Sequence, residues 1–192
     1  MSKLAFIFPG QGAQKAGMGK DFYENSETAR SFFDQAQKIL DFDLKEMCFG
    51  EHEELNLTEY TQPCMVSVCL AIVQELKKRG INPDITAGLS LGEYAAVAAA
   101  GGMNELDAIK LVRRRGILMQ NTVPTGEGAM AAVLGLDAKK IEEILESFEN
   151  VWIANYNCPG QIVITGLTNE VQQASLALKE AGAKRVVELK VS

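Results

Sequence analysis

Short apolar runs alternate with longer helical patterns along the first part of the chain. The runs Leu4–Phe8 and Asp84–Leu89 predict buried strands, because each is short and bounded by turn residues. Between them, Cys64–Leu76 is apolar almost all round and predicts a buried helix with Pro63 in its first turn. Strands that alternate with helices in this way indicate a parallel α/β sheet.

The pattern changes after Val123–Gly128, a segment rich in turn residues. Beyond it the apolar positions predict the order β-α-β-β-α-β, the split motif of ferredoxin-like folds. The predicted elements are a strand at Ala129–Leu134, a helix at Ala138–Phe148 capped by Asp137, strands at Val151–Asn155 and Ile162–Thr165, a helix at Asn169–Ala181 and a strand at Arg185–Val191. We therefore assign residues 1–127 to part of a parallel-sheet domain and residues 128–191 to a small ferredoxin-like domain.

The segment Gly88–Gly92 has the G-x-S-x-G pattern of a nucleophile elbow, in which a strand stops at a Ser and turns at once into a helix. A predicted strand precedes it, and the helix-forming run Glu93–Ala100 follows it. Glycines suit the turn because backbone atoms come close together there and a Cβ would block them. The context predicts a nucleophilic Ser90, with an ordinary Gly-rich turn as the alternative.

A nucleophilic Ser normally requires a His as its base. The chain contains one histidine, His52, within the acidic segment Glu51–Glu54. That setting predicts an exposed surface residue and not the base. The pattern therefore offers a nucleophile without an evident activator.

The helix predicted at Glu105–Gln120 carries Arg115 on an apolar face. A guanidinium on such a face needs a carboxylate partner, because an unpaired buried charge is costly. The partner is either an internal Asp or Glu, or the carboxylate of a substrate held bidentately, and spacing leaves both open. Arg113 and Arg114 point elsewhere on the helix, which predicts a solvated surface that could dock an acidic partner.

The loop Phe8–Gln14 follows the first predicted strand, and ligands bind at that end of strands in open α/β sheets. It has neither a dinucleotide nor a Walker pattern, so we do not expect a phosphate cradle. The backbone N–H groups of Gln11 and Leu91 could form the pair of oxyanion donors that hydrolase-like sites use. A plain strand–helix turn is the alternative.

Composition narrows the classes of function. The 192 residues carry a net charge of −6, which argues against nucleic acid as the main partner. No apolar stretch is long enough to span a bilayer, and the five apolar residues after Lys3 are too few for a signal peptide, so we expect a cytoplasmic protein without a membrane partner. We expect its cysteines to be reduced and mostly buried, with no metal site, because they have neither C-x-x-C spacing nor His companions. They are Cys48, Cys64, Cys69 and Cys158.

Together these motifs resemble the malonyl-CoA:acyl carrier protein transacylase family, the acyltransferases of type II fatty-acid synthesis and of polyketide synthase modules. The resemblance follows the chain in order over nearly its whole length. The matching segments are Phe8–Gly12, Tyr60–Pro63, Gly88–Tyr94, Arg115-Gly116 with Met119-Gln120, Gly128–Val133 and Asn155–Gln161.

The resemblance implies an α/β-hydrolase-like large domain with an inserted ferredoxin-like small domain. It also implies that Ser90 carries the acyl group, that Arg115 holds the malonyl carboxylate, and that Gln11 and Leu91 form the oxyanion hole. The implied reaction moves malonyl from malonyl-CoA to the phosphopantetheine thiol of acyl carrier protein in fatty-acid biosynthesis. It needs no bound cofactor or metal, and we expect a monomer when the protein is complete. The rival hypotheses are a serine thioesterase or esterase and an inactive module that docks acyl carrier protein.

The chain departs from the family pattern in two places. Leu89 stands where the family commonly has His, which we expect to change local packing and not the chemistry. The family's catalytic His lies just beyond the last strand of the small domain, and the chain ends at Ser192. We therefore expect the general base, the end of the large domain and much of the acyl specificity to be absent, and this 192-residue chain alone to be inactive for lack of the His base. The incomplete sheet should expose apolar surface and promote self-association.

Overall fold

A computed structural model describes residues 3–124 and 126–189. The chain divides into two compact units, residues 1–120 and 121–192. The sequence pattern places the change of architecture between residues 127 and 128. Thr125 in the predicted join, and Lys190 and Val191 of the last predicted strand, lie outside the described residues.

The first unit contains a two-stranded parallel sheet and six α-helices within the described residues. Strand β1 (Ala5–Phe8) pairs with β2 (Ile85–Gly88), and Phe8 lies opposite Gly88. The helices are α1 (Lys20–Asn25), α2 (Glu27–Gln37), α3 (Leu44–Phe49), α4 (Thr58–Lys78), α5 (Leu91–Ala99) and α6 (Glu105–Gln120), with a 3-10 helix at Glu53–Asn56. Helix α4 packs against α2, α5 and α6 and is buried along most of its length, which fits its apolar run at Cys64–Leu76. No helix in the ranges described is long and apolar enough to cross a membrane.

Pro63 lies inside α4 and not in its first turn, because the helix already begins at Thr58. The sequence pattern missed this start because the first turn is polar. Thr61 is nonetheless buried, and its hydroxyl donates to the Leu55 carbonyl at 2.6 Å. Proline has no N–H, so the Glu59 carbonyl one turn earlier loses its helical donor. Arg113 replaces that donor, since its Nη1 lies 2.8 Å from the Glu59 oxygen.

The prediction of a solvated surface is therefore wrong for Arg113, although Arg114 is exposed. The Arg113 side chain is 12% exposed and binds Asp41 through two hydrogen bonds of 2.9 Å, from Nε and Nη2. Its guanidinium also lies over the rings of Phe42 and Tyr60. Helical periodicity could not show this because every partner belongs to another part of the chain.

The second unit is a four-stranded antiparallel sheet with two helices in its described part. Its elements are β3 (Gly128–Leu134), α7 (Ala138–Leu145), β4 (Val151–Cys158), β5 (Gln161–Leu167), α8 (Thr168–Glu180) and β6 (Arg185–Leu189). The strand order β4-β5-β3-β6 is that of a ferredoxin-like sheet. Residues such as Ile141 and Leu178 on the helices pack with Val133 and Ile164 of the sheet. The predicted fold class, a parallel α/β unit and a ferredoxin-like unit, is confirmed.

Apolar side chains are exposed along the strands of the first unit. Ile7 is 79% exposed and Ile85 is 55% exposed. An apolar groove of about 450 Å³ runs between β1 and α4 and is lined by residues such as Phe6, Met65 and Ile72. This is the kind of surface from which the sequence analysis predicts self-association.

Candidate functional site

Ser90 lies where β2 ends and α5 begins. Its φ of 50° and ψ of −103° make it the sole non-glycine residue with positive φ in the part of the chain that the structure describes. Such a backbone costs about 1–3 kcal/mol and persists only where its surroundings enforce it. Strand, strained Ser and helix together have the geometry of a nucleophile elbow, which presents the Ser Oγ at the end of the sheet.

Gly88 and Gly92 allow this turn to form. A Cβ on Gly88 would overlap the backbone of Gly92, and a Cβ on Gly92 would overlap the Phe8 carbonyl. Two hydrogen bonds complete the turn, from Leu89 N–H to the Phe8 carbonyl at 3.1 Å and from Gly92 N–H to the Leu89 carbonyl at 2.9 Å. The spacing of the two glycines is therefore required by backbone approach on both sides of the Ser.

The loop after β1 lies against the elbow. A Cβ on Gly10 would come within 3.0 Å of the Leu89 carbonyl oxygen. Leu91 is the first residue of α5, so its N–H has no acceptor within the helix. Neither this N–H nor that of Gln11 has an acceptor among the described residues. Two unpaired backbone donors on adjacent segments are what an oxyanion hole requires.

Arg115 reaches the elbow from α6. Its Nη2 donates to Ser90 Oγ at 3.4 Å, a long hydrogen bond. Its Cζ lies 5.6 Å from the centre of the Tyr94 ring, within the range of a cation–π contact. No carboxylate pairs with Arg115 in the described ranges, whereas Arg113 binds Asp41 and Glu59. The sequence allows either an internal carboxylate or a substrate carboxylate as the partner of Arg115. The described structure contains no internal carboxylate partner.

The helix face around Arg115 is less buried than its pattern suggests. Val112 is fully buried, but Leu111, Leu118 and Met119 are exposed. Arg115 itself is partly exposed. The guanidinium is therefore accessible to a molecule that approaches Ser90.

His52 is joined to Glu46 and not to the elbow. Its Nε2 lies 2.9 Å from Glu46 Oε1, and its side chain is 32% exposed. The Ser90 hydroxyl has Arg115 as its hydrogen-bond partner, and the described residues place no histidine or carboxylate beside it. The structure thus places Arg115 beside Ser90, Leu91 directly after it and the loop that bears Gln11 against the elbow, whereas His52 pairs with Glu46.

The three cysteines of the first unit are poor candidates for a nucleophile because they are largely buried. Cys48 and Cys64 are buried, and Cys158 is exposed in the second unit. Burial raises the pKa of Cys69 to about 11, so this thiol is protonated at neutral pH. Contact with Cys48 and burial likewise raise the pKa of Cys64.

Sequence reasoning missed two residues next to the site. Tyr94 faces Arg115, and Thr58 accepts a hydrogen bond from the Gln11 side chain at 3.0 Å. Thr58 was overlooked because the predicted helix begins at Cys64. The available signal was the unbroken polar stretch before Pro63, which the structure incorporates into the first turn of α4.

Comparison with known proteins identifies close relatives. Residues 5–192 match the acyl transferase domain family. A malonyl CoA-acyl carrier protein transacylase from Bacillus subtilis (strain 168) is 48% identical over 197 residues, which cover 100% of this chain and 62% of that protein. The chain therefore spans less than two thirds of the length of that relative.

Solved structures agree with the sequence comparison. The acyl-carrier-protein-S-malonyltransferase from Bartonella henselae is 41% identical, with a TM-score of 0.92 over 100% of this chain and 63% of that one. A malonyl-transacylase in complex with its type II polyketide synthase acyl-carrier protein is 40% identical, with a TM-score of 0.90 over 98% of this chain and 62% of that one.

Proposed function

This chain belongs to the acyl transferase domain family, and we propose that it carries the nucleophile and the substrate clamp of a malonyl-CoA:acyl carrier protein transacylase. The observation that carries the proposal is the guanidinium of Arg115, which lies beside the strained Ser90 without an internal carboxylate partner in the described structure. The similarity of the chain to malonyl CoA-acyl carrier protein transacylases supports the proposal.

In the first half-reaction, the Ser90 Oγ attacks the thioester carbonyl of malonyl-CoA and its proton passes to a general base. The carbonyl oxygen becomes an oxyanion that accepts hydrogen bonds from the N–H groups of Leu91 and Gln11. Collapse of the tetrahedral intermediate breaks the carbon–sulfur bond, and coenzyme A leaves as a thiol after taking up a proton. Malonyl remains as an ester on Ser90. The proposal assigns the base to no residue of this chain.

In the second half-reaction, the phosphopantetheine thiol of acyl carrier protein attacks the malonyl ester and restores the Ser90 hydroxyl. The same two backbone donors stabilise the second oxyanion. One solved relative is a malonyl-transacylase bound to its acyl-carrier protein, which supports this partner. Malonyl-CoA and acyl carrier protein react in turn with the same Ser, so the kinetics should be ping-pong. We place the reaction in fatty-acid biosynthesis in the cytoplasm, with a monomeric enzyme and no bound cofactor.

Arg115 would hold the malonyl carboxylate through both half-reactions. Its planar guanidinium can form two parallel hydrogen bonds with a carboxylate. An acetyl group offers no such partner and would leave the cation unpaired. A thioesterase acting on neutral acyl groups has no use for this cation. The lack of a base at Ser90 in the described residues favours the inactive docking module, and the Ser90–Arg115 pair argues against it.

The test combines acylation with binding. Without the general base we expect acylation of the 192-residue chain by malonyl-CoA to be slow at best, so any malonyl adduct should map to Ser90 and be absent from a Ser90→Ala variant. Binding requires no base, so malonyl-CoA should also bind the wild type more tightly than acetyl-CoA does. The proposal fails if malonyl-CoA neither acylates the chain nor binds more tightly than acetyl-CoA. An adduct that decays to malonate as fast with water alone as with acyl carrier protein would indicate a thioesterase.

A further inference from the structure

The Gln11 side chain anchors the loop after β1 to α4. Its Nε2 donates to the Thr58 Oγ1 at 3.0 Å, and Thr58 is only 3% exposed. A second link, from Gln14 to Asn56 at 3.2 Å, is exposed to solvent. Water competes more for an exposed hydrogen bond than for a partly buried one, so the Gln11–Thr58 bond is the stronger of the two links.

Thr58 is itself fixed by α6, the helix that carries Arg115. Its N–H donates to the Gln120 Oε1 at 2.9 Å. Its carbonyl lies so close to Gly116 that a Cβ there would approach the oxygen to 2.8 Å. The hydroxyl of Thr58 is therefore held on a well-packed part of the first unit.

The loop that bears Gln11 has little stiffness of its own. Glycines stand on both sides of Gln11, and Gly12 has a φ of 107°. Glycine loses more backbone freedom on ordering than any other residue, so such a loop needs an external anchor to keep one conformation. An oxyanion donor is effective only when its direction is fixed before the reaction.

We propose that Thr58 is the positioning residue of the oxyanion hole. Its hydroxyl holds the Gln11 side chain, and this keeps the Gln11 N–H beside the elbow. The inference rests on the proposed function only for the use of that N–H in acyl transfer. The anchoring itself is a property of the unliganded chain and is measured without substrate.

The first experiment measures backbone order at residue 11 by ¹⁵N relaxation in the wild type, Thr58→Val and Thr58→Ser. Val keeps the shape of Thr but lacks the hydroxyl, and Ser keeps the hydroxyl. We expect an order parameter of about 0.85 in the wild type and in Thr58→Ser, and below about 0.6 in Thr58→Val. Equal order in Thr58→Val and the wild type would overturn the inference. So would loosening in Thr58→Ser alone, because the methyl group would then be the anchor.

The second experiment measures the rate at which malonyl-CoA acylates Ser90. Thr58→Val should lower the rate roughly 3-fold to 10-fold without weakening malonyl-CoA binding, and Thr58→Ser should restore it. Gln11→Ala removes the other side of the same bond, so the two changes together should cost little more than either alone. If Thr58→Val does not fold, Gln11→Ala takes its place in the measurement of backbone order. Additive effects would contradict the inference, whereas a wild type that is unreactive and binds malonyl-CoA no more tightly than acetyl-CoA would count against the proposed function alone.

Discussion

The Nη2 atom of Arg115 lies 3.4 Å from the Oγ of Ser90, although the two residues are 25 positions apart in the chain. One belongs to α6 and the other to the turn before α5, so packing of these helices decides how the cation meets the hydroxyl. A substrate carboxylate bound to Arg115 would therefore bring its acyl carbonyl to Ser90. Affinity for the carboxylate and reactivity at the Ser should respond together to changes at Arg115.

Replacing Arg115 by Ala should reduce the preference for malonyl-CoA over acetyl-CoA by roughly 10-fold to 100-fold, because a hydrogen bond to a charged group contributes about 1.5–3 kcal/mol. Calorimetric titration with both thioesters measures it. Arg114→Ala is the matched control, since Arg114 is the exposed neighbour on the same helix. An unchanged preference in Arg115→Ala, or an equal loss in Arg114→Ala, would exclude a clamp at Arg115.

Replacing Ser90 by Gly should give a more stable protein than replacing it by Ala, by about 1 kcal/mol or more. Both changes remove the hydroxyl, but only Gly adopts the positive φ without strain. Urea unfolding of the two variants measures the difference. The same pair of changes at Ser31, an exposed residue inside α2, should have the opposite sign because Gly is a poor helix former. A Ser90→Gly variant less stable than Ser90→Ala would argue against backbone strain at the elbow.

Replacing Arg113 by Met should destabilise the protein by about 2–3 kcal/mol, because the Glu59 carbonyl and the carboxylates of Asp41 and Glu59 lose their donor. A second change, Pro63→Ala, supplies a backbone N–H to that carbonyl. It should be less destabilising, or more stabilising, in the Arg113→Met background than in the wild type. A double-mutant cycle in urea tests this coupling. Strict additivity would show that Arg113 does not substitute for the missing helical donor.

The hydrogen bonds from Arg113 hold the pKa of Asp41 below its usual value. A carboxyl whose pKa is lowered by folding stabilises the protein above its unfolded pKa of about 3.9, and the contribution is lost as the pH falls through the folded pKa. Asp41→Asn should therefore be less stable than the wild type at pH 7, with the gap closing in acid. The Asp41 side chain is 66% exposed, so the gap should be below about 1 kcal/mol. A gap that stays constant into acid would contradict the pairing.

The exposed apolar groove of the first unit predicts self-association. Ile7, which is 79% exposed, is the side chain to change. Ile7→Lys should shift sedimentation of the chain toward the monomer, because a charge on this surface opposes contact between apolar faces. Lys3→Glu changes a charge at an exposed position just before β1 and serves as the control for a change of charge alone. A wild type that is monomeric at high concentration would show that the groove does not drive association.

Local patterns predicted what depends on local structure. The elbow was recognisable because a strand, two glycines and a helix-forming run follow one another around Ser90. The ferredoxin-like unit was recognisable because the apolar positions of its strands and helices recur with regular strand and helix periodicity. Arg113 was misjudged because its partner Asp41 is 72 residues away. Thr58 was missed because the predicted helix begins at Cys64, and its link to Gln11 depends in addition on how the chain packs.

The bond between Arg113 and the Glu59 carbonyl has a consequence for the history of this sequence. While Pro63 is present, a chain that loses Arg113 is left with an unsatisfied carbonyl, so that substitution is costly in stability. Once position 63 regains an N–H, the helix satisfies the carbonyl and position 113 can vary more freely. The two positions therefore constrain each other through an order of events, in which the change at 63 is permissive and the change at 113 follows it.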